Sequence, residues 1–157
     1  MPYENPWLFN DKPFESEDIQ NHEGFCYLIK NYLNGKLYIG RKYFTKLPPK
    51  KKGQRRKRVE SDWKDYYSSC KELQEDVEKF GKENFSRYIL SLHPTQGDTN
   101  YCETVLLFQN NVLEAVDSKG EKIFYNANIL GKYYYRPKNI ASRVLSEGIN
   151  TLYGNKL

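Results

Sequence analysis

Residues 24–44, GFCYLIKNYLNGKLYIGRKYF, constrain the fold more than any other part of the chain. Aromatic and β-branched residues fill both halves, and Asn34-Gly35 divides them. An Asn-Gly pair between two such runs favours a tight hairpin turn, because both residues tolerate the positive φ that the strand twist demands. Antiparallel strands are therefore predicted at about 24–31 and 36–42. A two-residue turn at positions 34 and 35 sets Tyr27 near Lys42 and Tyr38 near Asn31. Alternate residues of a strand point the same way, so Tyr27, Tyr38 and Lys42 are expected on one face of the sheet.

The second strand runs directly into RKYFTKLPPKKKGQRRKR, residues 41–58, which hold ten basic residues and no acid. The whole chain has 25 Lys and Arg against 20 Asp and Glu, a net charge of +5, so everything outside this window is acidic on balance. Leu47-Pro48-Pro49 and Gly53 exclude a regular element through it. Two readings stand for such a block: a solvated loop, or a patch that binds several phosphates of an anionic polymer and gains from counterion release. Under the second reading Lys50, Lys51, Lys52, Arg55, Arg56, Lys57 and Arg58 are the DNA-binding candidates.

The other elements are shorter. Residues 1–22 carry three prolines and no steady period, and read as an N-terminal arm packed through Trp7, Leu8 and Phe14. A helix of about 69–80 is predicted by the spacing of Cys70, Leu73, Val77 and Phe80, opened by a Ser69–Glu72 capping box and stopped by Gly81. FSRYILSL at 85–92 reads as a third strand, closed by His93-Pro94 and Gln96-Gly97. A second helix is expected from Asp98 or Thr99 to about Val116, placing Glu103 in its first turn. A short strand near 122–126 and a helix near 139–147 complete the prediction. The fold class is α+β, a small antiparallel sheet of about three strands flanked by helices. One domain at 23–130, with the basic loop 41–58, is followed by an extension at 131–157.

Nucleotide hydrolysis, structural zinc and serine hydrolase chemistry have no support in the sequence. The chain has no Gly-rich phosphate loop, no Cys-x-x-Cys, no His-Glu-x-x-His and no Gly-x-Ser-x-Gly, and its two histidines, His22 and His93, are far apart in sequence. Three unpaired cysteines fit a reducing compartment, and the absence of a long apolar run or signal-like start predicts a soluble, cytoplasmic protein without a membrane partner. Fourteen tyrosines are the compositional oddity. Those in the hairpin are either core packing or part of a site, and the residues alone leave both open.

Gly24-Phe25-Cys26-Tyr27 and Tyr38-Ile39-Gly40-Arg41-Lys42, at this spacing, resemble the paired signature of the GIY-YIG nuclease superfamily. Trp63 to Ser69, Phe80 to Phe85 and Glu103 are similar to the continuation in small homing-endonuclease-like Seg-type proteins of tailed phages. The resemblance implies a DNA endonuclease that hydrolyses phosphodiester bonds with Mg²⁺, or Mn²⁺, held by Glu103. It implies Tyr27 as general base or orienter of the attacking water, in the first case through a lowered pKa, with Tyr38 assisting. It places Arg41 or Lys42 where a cation stabilises transition-state charge. Relatives carry an arginine on a helix after the second motif, where this chain has its Leu-Pro-Pro-Lys loop. Arg58 is the candidate substitute, with Tyr66 or Tyr67 as its partner. The competing expectation is a nucleic-acid-binding protein with the same fold and no catalysis. Tyr133-Tyr134-Tyr135-Arg136 is a further candidate DNA-binding segment.

Overall fold

A computed structural model describes residues 3–134. In chain order the strands and helices are β1 (Trp7–Phe9), β2 (Lys12–Pro13), β3 (Gly24–Asn31), β4 (Leu37–Tyr43), β5 (Thr45–Lys46), β6 (Val59–Glu60), α1 (Lys71–Phe80), β7 (Phe85–His93), α2 (Gln96–Gln109), β8 (Asn128–Ile129) and β9 (Tyr133–Tyr134). The α+β class holds, but the main sheet has five strands, ordered β2-β1-β7-β3-β4, and it is mixed. The extra strands come from the segment expected to be an arm. β1 runs parallel to β7, pairing Trp7 with Arg87 and Leu8 with Tyr88, and β2 folds back antiparallel on β1.

The β3–β4 hairpin forms two residues out of the expected register. Tyr27 faces Gly40 and Ile29 faces Tyr38. The connection is longer than two residues: the Asn31 N–H donates to the Lys36 carbonyl and the Gly35 N–H to the Asn31 carbonyl. Asn31 and Asn34 each accept a backbone N–H two residues on, so their side chains rather than a minimal turn shape the loop. Both amides also donate to the Tyr125 hydroxyl, which donates in turn to Asp76 on α1.

α1 buries Leu73 and Val77 against one sheet face, in a core rich in aromatic rings from Trp7, Phe25, Tyr27, Phe44 and Trp63. The Ser69–Glu72 capping box does not form. Cys70 is the N-cap residue, and the Ser68 hydroxyl accepts its N–H at 3.0 Å. α2 covers the other face, where Ile39, Leu107, Val112, Leu113 and Phe124 cluster. It begins earlier than expected because Thr95 caps it, accepting the Asp98 N–H at 3.0 Å, and it stops at Gln109. Asn111, with φ +49°, turns the chain so that Val112 and Leu113 are buried from a turn rather than from a helix.

The 122–126 segment forms a bridge rather than a strand, Phe124 running parallel to Leu37 at the β4 edge. Buried Asn126 extends that pairing with its side chain: Oδ1 accepts the Ile39 N–H and Nδ2 donates to the Ile39 carbonyl. No helix among the described residues is long and apolar enough to cross a membrane. The helix expected near 139–147, and Tyr135 and Arg136, lie outside the described residues.

Candidate active site at the edge of β4

β4 is the last strand of the main sheet, so side chains from its two faces meet around a free edge. Tyr38, Gly40 and Lys42 lie on the face of Tyr27, while Ile39 and Arg41 lie on the face of α2. The expected sharing of a face by Tyr27, Tyr38 and Lys42 survives the register change, because a shift of two residues conserves which side each residue occupies. A cleft of about 470 Å³ at this edge is lined by Tyr38, Arg41, Ser69, Glu72, Glu103 and Asn126, among others.

Gly40 makes the tyrosine arrangement possible. A Cβ there would stand 2.5 Å from the Tyr27 hydroxyl oxygen and 2.8 Å from the Tyr38 ring, so only a residue without a side chain lets both rings cross the strand. The rings stack at 6.1 Å, and Tyr66 meets Tyr27 edge-on at 6.3 Å. Tyr27 is only 1 % exposed, so of the two motif tyrosines it is Tyr38 that lines the cleft, together with Tyr125. Burial pushes the hydroxyls of Tyr27, Tyr38 and Tyr66 up from the usual phenol range. This reverses the lowered pKa that a general base would use, since a phenol removed from water resists taking charge. Hydrogen bonding by Ser69 partly opposes the rise at Tyr38 and Tyr66.

On the other face, Arg41 Nε lies 2.8 Å from Glu103 Oε2, and the guanidinium stands 4.9 Å from the centre of the Tyr43 ring. Tyr43 donates a very short hydrogen bond to Asn100, tying this ring to α2. Glu103 is well inside α2, not in its first turn, so neither capping nor the helix dipole accounts for it. Burial raises its pKa, and the charge and hydrogen bond of Arg41 hold part of that rise back. Lys42 is placed differently. Its ammonium pairs with Asp62 at 2.7 Å and sits 3.8 Å above the Tyr66 ring, and its hydrogen bond draws the Asp62 carboxyl below the ordinary range.

Tyr66 and Tyr67 face opposite ways. Tyr66 joins Tyr27 and Lys42, whereas Tyr67 is buried, accepts from Asn5 Nδ2 at 2.6 Å and packs on the Arg87 guanidinium at 4.4 Å. Arg58 is not brought to the cleft either. It bonds to the side chain and carbonyl of Thr45, closing the base of the basic loop at the β5–β6 ladder. Lys50, Lys51, Lys52, Arg55, Arg56 and Lys57 are all exposed along that loop. Its base adjoins the cleft region, where Arg41, Lys42, Thr45, Lys46 and Tyr66 surround a shallow depression.

Three contributors carry no sequence signal of their role. Ser69 reads as a helix cap, Asn126 lies in a stretch without pattern, and Arg87 looks like an ordinary strand residue. Arg87 is fully buried and has no salt bridge among the described residues. Its guanidinium donates to the carbonyls of Asn5 and Tyr66 and stacks 4.7 Å from the centre of the Trp7 ring. It fixes the backbone that presents Tyr66 and joins it to the segment before β1.

The donors lining the cleft are mostly oxygens, from the carboxylates of Glu72 and Glu103, hydroxyls and amides, with one thiol, Cys70, turned to the Tyr125 carbonyl. The oxygens are hard groups that fit Mg²⁺ better than a thiophilic metal. Glu72 is exposed and paired with Lys36, which leaves Glu103 as the half-buried carboxylate beside open space, an arrangement that fits an ion keeping most of its waters. A family profile described as "Putative endonuclease segE, GIY-YIG domain" matches residues 7–129, from the start of β1 to the end of β8. No curated protein and no solved structure matches the chain. The matched span contains both signature segments, the helix with Glu103 and the strands that hold them in register, and the chain belongs to the SegE GIY-YIG endonuclease family.

Proposed function

We propose that the chain is a phage-encoded, Mg²⁺-dependent DNA endonuclease that hydrolyses a phosphodiester at the β4 edge and acts in the host cytoplasm. The observation that supports this best is the meeting of Tyr38, Arg41 and Glu103 in one cleft whose rim continues into the exposed basic loop. Glu103 would hold the ion, with Mn²⁺ as the substitute. When bound, the ion supplies charge neutralisation and polarisation at the scissile phosphate. Arg41, salt-bridged to Glu103, would move onto a non-bridging phosphate oxygen and stabilise charge developing there. Of the two roles open to the tyrosines, burial favours orientation: Tyr38 holds its proton and directs the attacking water, and Tyr27 sets the Tyr38 ring from behind. Lys42 is the positioning residue of Tyr66. Lys50 to Lys52 and Arg55 to Arg58 would hold the duplex by its phosphates.

A second reading, DNA binding without cleavage, draws on the engagement of Glu103 by Arg41 and the covering of Tyr27. Nicking of supercoiled plasmid separates the two. Cleavage that needs Mg²⁺, stops on chelation and is lost in Glu103→Ala supports the endonuclease. Tyr38→Phe is expected to lower the rate about a hundredfold, within the range of a lost active-site hydrogen-bond donor, without moving the pH–rate curve. Cleavage that survives Glu103→Ala would remove the metal assignment, and salt-dependent binding with no cleavage in any preparation would favour the second reading.

A further inference from the structure

On the α2 face of the sheet, three elements each bring a soft or nitrogen donor to one point. β3 supplies Cys26, β7 supplies His93 and α2 supplies Cys102, and one donor atom from each lies within 4.8 Å of the other two. Ser91 stands among them, its Oγ 2.7 Å from His93 Nε2 and 3.4 Å from Cys102 Sγ. The side-chain hydrogen bonds of this group run within it, apart from one from Cys26 Sγ to the Thr99 carbonyl at 3.4 Å.

The backbone explains the convergence. Cys26 faces Ser91 and Gly24 faces His93, while Tyr27 faces Ile89, so Leu90 is a bulge residue without a partner on β3. With the bulge, Cys26, Ser91 and His93 turn toward α2 while Tyr27 and Ile89 stay in the core on the other face. The same residue that separates these two sets carries an exposed side chain.

We propose that Cys26, His93 and Cys102 form a Zn²⁺ site, with the Ser91 hydroxyl or a water at the fourth position. Two thiolates and an imidazole are donors that zinc takes in tetrahedral geometry, with Zn–S about 2.3 Å and Zn–N about 2.0 Å. The ligand atoms of such a site stand about 3.3–3.8 Å apart, a small contraction from the observed grouping. Binding requires the two thiols to release their protons to solvent as the sulfur–zinc bonds form. His93 and Cys102 are only half buried, which leaves a way in. The site is distinct from the hard-donor cleft, but Cys102 precedes Glu103 on α2. Zinc would pin the helix to β3 and β7 and so fix how deep Glu103 sits beside Arg41.

The test uses the full chain, reduced, stripped with a chelator and titrated with Co²⁺ and then Zn²⁺. One Co²⁺ per chain, with thiolate-to-metal charge-transfer absorption and intense visible bands of a tetrahedral ion, both displaced by Zn²⁺, is the expected result. Cys102→Ser and His93→Gln should each bind zinc at least about tenfold more weakly, and zinc should raise the unfolding temperature of the wild type but not of Cys102→Ser. A wild-type titration without the charge-transfer band would overturn the proposal. So would an unchanged zinc content in a chain carrying both Cys102→Ser and His93→Gln, or a Cys26–Cys102 disulfide in the freshly prepared protein.

Discussion

Gly40 has an ordinary backbone conformation, so the demand for glycine there comes from its neighbours. Gly40→Ala would put a methyl group into the Tyr27 hydroxyl and against the Tyr38 ring. The Tyr27 ring cannot retreat, because it is packed against Trp7 at 4.9 Å and Tyr66 at 6.3 Å. The variant is expected to lose about 1–3 kcal/mol in urea unfolding and most of its cleavage, as overpacked cores do. Glu103 behaves in the opposite sense. Its folded pKa is raised above the unfolded value of 4.5, so ionisation is harder in the folded protein, and stability falls as pH rises through that window. Glu103→Gln removes this loss. It should match the wild type in thermal melts at acid pH and equal or exceed it at neutral pH while failing to cleave, the pattern of a residue kept for function at the expense of stability. At this scale the sequence is informative about which residues gather and misleading about their protonation. The identity of Tyr27, Tyr38 and Glu103 is visible in a motif, but how far each is removed from water depends on chain segments that lie distant in sequence.

The elements show why some of the fold is legible and some is not. The β3–β4 hairpin is encoded locally, and its strand faces are as expected even though Asn31 and Asn34 lengthen the loop and move the register by two. β1 and β2 escape detection, since each has only two or three residues and β1, on which β2 folds back, is ordered by parallel pairing with β7, about eighty positions away. The bulge at Leu90 likewise exists only once β3 and β7 meet. Prolines and glycine mark residues 47–58 of the basic segment as irregular, as the structure has them, while its first residues continue β4 and form β5, which pairs with β6 in a short ladder with Arg58 across its base. A ladder outside the main sheet can hold a loop without depending on what the loop carries. Neutralising Lys50 to Lys52 and Arg55 to Lys57 should therefore leave unfolding within about 0.5 kcal/mol of the wild type. The same change should flatten the slope of log binding constant against log salt by about 0.9 for each phosphate that the loop no longer neutralises. An unchanged slope in filter binding would remove the loop from the DNA interface.

At the scale of the whole molecule, the two cores lie on opposite faces of one sheet, and the cleft lies where both end. α1 and its aromatic core position Tyr27, Tyr38 and Tyr66; α2 and its mainly aliphatic core position Glu103. Residues from separate layers can act together only because, among the described residues, no further strand lies beyond the Arg41 half of β4. Such an edge carries a risk, since unpaired N–H and C=O groups recruit strands from other molecules. The opposite edge is short and contains Pro13, a residue that cannot donate to a ladder. On β4, the Asn126 carboxamide occupies both main-chain groups of Ile39. Asn126→Ala would uncover them. The expected outcome is light scattering that grows with protein concentration at temperatures where the wild type stays clear, and equal scattering by the two would rule this role out. With the backbone of Ile123 and Tyr125 holding Leu37, this one amide lets the protein keep the cleft half of β4 open without exposing the rest of the strand to self-association.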